Sequence, residues 1–184
     1  MLEAVAEERL EEEIRSKEDP HERQHGFRTG RSTISAMKEV MDTMRPATNK
    51  AAQHKKFCVL VTIDVRNAFN VARWSGILAD MERRDIDRYL IEMVRSCLTN
   101  RTLIVGERSR MRLNCGVPQG SVLGPLPWNL YDDDVFRVEM PDGVTLIGYD
   151  LALVAVAKSG TQLRHKINTA SVDLMEWLKR KNYV

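Results

Sequence analysis

Phe57-Cys58-Val59-Leu60-Val61-Thr62-Ile63-Asp64 is the stretch on which the fold turns. An unbroken run of apolar and β-branched residues of this length predicts a strand buried on both faces of a sheet. The run stops on a carboxylate, and Arg66 and Asn67 follow it. That puts Asp64 at the edge of a sheet, where its charge is costly to desolvate unless paired or bound to a cation. The plainer alternative is an aspartate that caps the turn after the strand.

On the N-terminal side, Leu2, Ala6, Leu10 and Ile14 recur every four residues among glutamates. They predict a short acidic helix with one narrow apolar stripe, its glutamates a solvated face, stopped by Asp19-Pro20. Residues 21 to 31 are basic, glycine-containing and loop-like. Ser32 is a candidate N-cap, and Ile34, Met37, Met41 and Met44 step along a helix face assigned to the core. Arg45-Pro46 is expected to end that helix, and residues 46 to 56 to form a polar surface linker.

On the C-terminal side, Trp74, Ile77, Leu78 and Met81 predict a short helix, and Ile86 to Leu98 a longer one. Residues 102 to 106 and 110 to 113 read as a small hairpin. Gly116 to Pro127 is punctuated by glycine and proline and leads into a further helix. Val144 to Tyr149 and Leu151 to Ala157 are two strand-like runs with almost nothing between them. Leu163, Ile167, Ala170, Leu174, Trp177 and Leu178 mark a final amphipathic helix. The fold class expected is α+β, an antiparallel sheet with helices packed on one face.

Composition narrows the function classes. Among 184 residues, 43% are hydrophobic and 29% charged, the mix of a globular domain rather than a disordered or collagenous chain. No apolar run approaches the length of a membrane span. Cys58, Cys97 and Cys115 lie far apart, with no Cys-x-x-Cys pair to signal zinc or redox chemistry. The four histidines have no metal-ligand spacing, and Trp74, Trp128 and Trp177 fit helix-packing anchors better than base-stacking platforms. An intracellular, reducing compartment is expected, with nothing to separate nucleus from cytoplasm. Residues 1 to 19 carry eight acids and three bases, so the remainder carries an excess of seven bases against a net charge of +2. A basic body of this kind is compatible with nucleic acid.

Two further segments could carry chemistry. Gly116-Val117-Pro118-Gln119-Gly120-Ser121 offers glycines that let a backbone approach a ligand, and a glutamine with both donors and an acceptor. The plainer alternative is a loop-to-helix junction with Ser121 as a cap. Gly148-Tyr149-Asp150-Leu151 lies between two strands, and its plainer alternative is a tight hairpin turn.

Taken in order and spacing, these segments resemble the reverse transcriptases of non-LTR retrotransposons, in particular the insect-type elements. The resemblance rests on Gln24-His25-Gly26-Phe27-Arg28-Thr29-Gly30-Arg31-Ser32-Thr33 and on Val61-Thr62-Ile63-Asp64-Val65-Arg66-Asn67-Ala68-Phe69-Asn70. Gly116-Val117-Pro118-Gln119-Gly120-Ser121-Val122-Leu123-Gly124-Pro125, Trp128-Asn129 and the strand pair around Tyr149 complete it. It runs from about Glu8 to Trp177.

The resemblance implies a polymerase palm over residues 57–184 and part of the fingers over 1–56, with RNA template, DNA primer and deoxynucleoside triphosphates as partners. It implies that Asp64 is the first catalytic aspartate and binds two Mg²⁺ ions, with the carbonyl of Val65 and the carboxylate of Asp150 as further ligands. Phe69 would lie beneath the incoming sugar, Gln119 and Gly120 would line the nucleotide site, and Arg28 and Arg31 would meet template or triphosphate. Carboxylates suit Mg²⁺, a hard cation, and a metal pair activates the primer hydroxyl and stabilises the leaving pyrophosphate.

One signature departs from the family. Where Tyr/Phe-Ala-Asp-Asp-Leu is expected, the chain reads Tyr149-Asp150-Leu151. Asp150 stands for either aspartate of the pair. Losing two residues preserves the in-out parity of the second strand but forces the turn onto Tyr149-Asp150, which lacks Asn-Gly chemistry. Severely impaired or absent catalysis is expected. Tyr131-Asp132-Asp133-Asp134 is read as a solvated acidic turn, not as the missing box. Upstream fingers and a downstream thumb are missing from the sequence, which reads as a truncated or decayed element copy. The alternatives to a polymerase are a catalytically dead remnant that at most binds nucleic acid and a generic α+β domain. Neither a membrane nor a protein partner is predicted.

Overall fold

A computed structural model of the chain describes residues 2–48, 56–106, 109–148 and 151–183. In chain order the elements are α1 Leu2–Lys17, α2 Thr33–Thr48, β1 Phe57–Ile63, α3 Ala68–Val71, α4 Trp74–Arg83 and α5 Arg88–Leu98. There follow β2 Thr102–Val105, β3 Ser109–Arg112, α6 Pro125–Asp132, a 3₁₀ turn Asp133–Arg137, β4 Val144–Gly148, β5 Leu151–Ala157 and α7 Gly160–Lys181. Periodicity announced neither the short helix α3 nor the 3₁₀ turn. The chain divides into two compact units, one of Met1–Pro20, Arg66–Asp133 and Lys181–Tyr183, the other of His21–Val65 and Asp134–Arg180.

The second unit is built on an antiparallel sheet in the order β1-β5-β4. β5 is central and carries the apolar weight, with Leu153, Val154 and Ala155 fully buried. Burying Leu153 alone contributes roughly 2 kcal/mol by the area it removes from water. α2 is seated on the face that carries Ile147 and Val154, through Ala36, Val40 and Met44. Leu146 and Leu153 on the opposite face are buried as well.

Three expectations are corrected in this unit. β1 is an edge strand, not one buried on both faces: Phe57 and Leu60 are exposed. A short apolar run announces a strand but not its place in the sheet, and among the described residues only β5 pairs with this one. Ile34, Met37 and Met41, assigned to the core, are 77%, 65% and 67% exposed. α2 has two adjacent apolar rows, and it is the row stepping by four through Ala36, Val40 and Met44 that reaches the sheet. α2 also continues past Arg45-Pro46 to Thr48. Ser32 does cap α2, its Oγ accepting from the Ser35 amide at 3.3 Å.

The loop before α2 is tied to the end of β4 at Gly148. The His25 amide donates to the Gly148 carbonyl at 2.6 Å, and the Gly148 amide donates to the Arg23 carbonyl at 2.9 Å. A Cβ on Gly148 would stand 2.3 Å from Gln24 Oε1 and 2.7 Å from Phe136 Cζ, so only glycine fits. His25 is 1% exposed, its ring nitrogens 2.7 Å from Ser35 Oγ and 2.7 Å from Glu39 Oε2, two groups one turn apart on α2.

The first unit is helical, with a separate β2-β3 ribbon whose eight residues are all exposed. α1 buries Ala6, Leu10 and Ile14, as its four-residue spacing predicts, and packs on α5 and α6. α4 contributes Ile77, Leu78 and Met81 and packs on the same two helices. Asp132 and Asp133 are not a solvated turn. Asp133 is buried and takes a 2.7 Å hydrogen bond from Arg84, which is itself buried and donates to the Glu18 carbonyl. Asp132 accepts from the Tyr183 hydroxyl at 2.6 Å. In the second unit Asp134 accepts from the Trp177 indole at 3.0 Å. Three adjacent acids look solvated in a sequence, yet their partners lie 43 to 51 residues away.

Burial first, and then the charge of Asp132, hold the Tyr183 phenol well above its ordinary value of about 10. The folded chain therefore keeps a proton that the unfolded chain releases above about pH 10, so this stability is present below that pH and is lost as pH rises. Tyr183→Phe is expected to cost about 2 kcal/mol near neutrality. The gap between the two chains in chemical denaturation should narrow above about pH 10, and parallel curves would contradict the assignment. His25→Ala, which removes a buried ring and its bonds to Ser35 Oγ and the Glu39 carboxylate, is expected to cost about 2–3 kcal/mol in urea denaturation, with part of the loss recovered on adding Glu39→Ala.

Candidate functional site

β1 delivers Asp64 one residue beyond its last ladder pair, Ile63 with Leu151. The carboxylate is exposed and has no hydrogen-bond or ion-pair partner among the described residues. The desolvation argument for a buried charge therefore falls away: Asp64 is a solvated oxygen donor at a strand end. Val65 follows it, half-buried. The β4-β5 ladder is continuous from Val144 with Ala155 to Gly148 with Leu151. Tyr149 and Asp150 lie outside the described residues, and so does the expectation of a strained turn there. Among the described residues no group of three or more His, Cys, Asp or Glu side chains is gathered as a metal would need.

Arg28 and Arg31 belong to the same unit as Asp64 and differ in their commitments. Arg28 is half-buried and donates from Nη1 to the His21 carbonyl at 2.9 Å, bracing the loop. Arg31 is exposed, its amide bonded to the Arg28 carbonyl.

The other unit brings Phe69 together with the Gly116–Ser121 segment. Asn67 takes a left-handed conformation, φ 57°, and starts α3, which carries Phe69. The Val117 amide donates to the Phe69 carbonyl at 2.7 Å and the Gly116 amide to the Ala72 carbonyl at 2.8 Å. The Phe69 ring stacks on Trp128, centroids 4.4 Å apart, which gives Trp128 an aromatic partner as well as a place on α6. Pro118 to Ser121 closes a turn, the Ser121 amide donating to the Pro118 carbonyl, with Gly120 at φ +85°. That value at the third position is the one a type II turn requires. Gln119 stands exposed at the second position. Ser121 caps locally, its Oγ accepting from the Gly124 amide, and Glu3 of α1 receives the Ser121 hydroxyl and the Val122 amide.

Sequence reasoning quoted Gln24 and His25 but gave them no role. Ser35 and Glu39, which hold His25, are one turn apart on α2, but nothing local ties them to a histidine ten residues upstream.

The family model of reverse transcriptase (RNA-dependent DNA polymerase) matches residues 1–183. Among curated proteins of Drosophila melanogaster, the probable RNA-directed DNA polymerase from transposon BS is 27% identical over 168 residues, 85% of this chain. The RNA-directed DNA polymerase from mobile element jockey is 31% identical over 164 residues, 84% of this chain. The probable RNA-directed DNA polymerase from transposon X-element is 30% identical over 118 residues, 62% of this chain. The aligned stretches cover 18%, 17% and 12% of these relatives, so the chain spans less than a fifth of their length. Among the described residues no helix is long and apolar enough to cross a membrane. With a match over all but its last residue, and with the glycine-rich turn and its aromatic neighbour assembled as one piece, the chain belongs to the reverse transcriptase family.

Proposed function

We propose that this chain is part of an RNA-directed DNA polymerase, with a damaged catalytic hairpin that leaves nucleotidyl transfer severely impaired. Residues 1–56 take the role of partial fingers and 57–184 that of the palm, a division by family role rather than by compactness. Asp64 is the principal catalytic carboxylate, with Asp150 and the Val65 carbonyl as companion donors. Phe69, Gln119 and Gly120 serve the incoming nucleotide, and Arg28 and Arg31 serve template or triphosphate. Bound Mg²⁺ would supply the activation of the primer hydroxyl and the neutralisation of the leaving pyrophosphate.

The observation that carries this reading is the ladder register. Ile63 pairs with Leu151, and Gly148 pairs with the same residue on the other side. Two residues of the sequence therefore join β4 to β5, and Asp64 lies one step beyond the same ladder. That connection offers Asp64 a single companion carboxylate, Asp150, where the family box offers two. The second aspartate of the family box has no counterpart in a two-residue connection. The same deficit supports the remnant reading, in which RNA and primer are held but not extended.

Primer extension on an RNA template with Mg²⁺ and four deoxynucleotides tests both. Restoring Ala-Asp between Tyr149 and Asp150 is expected to raise extension by at least about 100-fold, the equivalent of several kcal/mol of metal-held charge stabilisation. Asp64→Ala should abolish what the repaired chain gains. Equal extension by the repaired and original chains would refute the impairment. Silence in both, with primer–template still bound, would favour the remnant.

A further inference from the structure

The second unit holds a cleft of about 590 Å³ at the end of the sheet remote from Asp64. Lys56 precedes β1 and Asp64 follows it, and the six steps of β5 between Leu151 and Ala157 span about 20 Å. The cleft has Val156 and Ala157 as apolar floor. Lys56, Lys158, Lys166 and His165 line it, with Thr145 and Gln162 as neutral polar groups. Among the described residues no carboxylate lines it.

Three ammonium groups around one opening repel one another unless an anion joins them. Elsewhere on this chain cations find carboxylates, as Arg84 does with Asp133 and Lys17 with Asp85. None of these three lysines has a carboxylate partner among the described residues. Lys166 donates to the Asp142 carbonyl, which fixes its position without neutralising it. The first turn of α7 lies beside the cleft and adds the positive end of a 22-residue helix. Lysines act as point charges that tolerate many orientations of a phosphate group, unlike the planar fork of arginine.

We propose that this cleft binds phosphate groups at a site separate from the catalytic carboxylates. The phosphate comes either from a nucleic-acid backbone or from a free polyphosphate, and the cleft is wide enough for either. The site stands whether or not the chain polymerises, because none of its residues has a part in the hairpin chemistry.

The test uses the full chain, a fluorescein-labelled RNA and sodium triphosphate. Lys56→Gln/Lys158→Gln/Lys166→Gln is compared with Arg9→Gln/Arg88→Gln/Arg110→Gln, an equal loss of charge in the other unit. Anisotropy across a salt series should show the lysine variant binding RNA at least about 10-fold more weakly, with the slope of log K against log salt reduced by about 2, three contacts at roughly 0.7 each. Lys158→Gln alone, whose side chain makes no bond among the described residues, should move the slope by about 0.7 and guards against a folding defect. Triphosphate that displaces RNA, and loses its own binding in the lysine variant, assigns the cleft to free polyphosphate. Inert triphosphate with lysine-dependent RNA binding assigns it to a nucleic-acid backbone. Neither probe depending on the lysines, or the arginine variant losing as much, overturns the proposal.

Discussion

Between Gly148 and the Arg23–His25 segment there is room for a hydrogen atom and nothing larger, and much of the second unit depends on that close approach. Two backbone hydrogen bonds cross it, one in each direction. Behind it His25 is clasped by Ser35 and Glu39, so the loop, α2 and the end of β4 meet at one residue. Sliding β4 along its ladder by one residue would break both bonds and turn Leu146 and Ile147 to the wrong faces. β4 is thus held in register from the loop side as well as by β5, right up to the residue that precedes the altered family signature. The described ladder runs unbroken up to that point on both strands.

The family strings were legible because they are local: glycine at a positive φ, a carboxylate at a strand end, a capping serine. The elements were legible for the same reason, since periodicity reports on neighbours along the chain. What the sequence hid is what long-range partners decide. Phe57 to Ile63 looked like a central strand, yet β5 took that place. Met37 and Met41 looked like core, yet Ala36 and Val40 are smaller and let α2 approach the sheet. The acids at 132 to 134 looked wet, although each has a distant donor, two of them in one unit and one in the other. His25 was quoted within a motif and its burial went unread, because no spacing rule links it to Glu39.

In the first unit the Gly116–Ser121 segment owes its shape to α3 and α1 rather than to its own chemistry alone. Amides on one side bond to carbonyls of α3, and Glu3 collects donors on the other. This leaves Gln119 as the exposed second residue of a turn closed by the Ser121 amide on the Pro118 carbonyl. Its side chain is available at no cost to the fold, which is the condition a substrate-facing amide must meet.

The two units are interleaved along the chain, and that has a kinetic consequence. The first is assembled from three separate stretches, and the residues that close it, Lys181 and Tyr183, reach back 50 and 51 positions to Tyr131 and Asp132. Ser121 and Glu3 are 118 apart. Contacts so distant in sequence must pay loop-closure entropy before they return any stabilisation, which slows folding. During synthesis the stretches that build the second unit are made by Arg180, before the residues that close the first. Tyr183 emerges after everything it binds in the first unit, and until then the hydroxyl that Asp132 awaits does not exist. The helices of the first unit are thus made long before the contacts that fasten them.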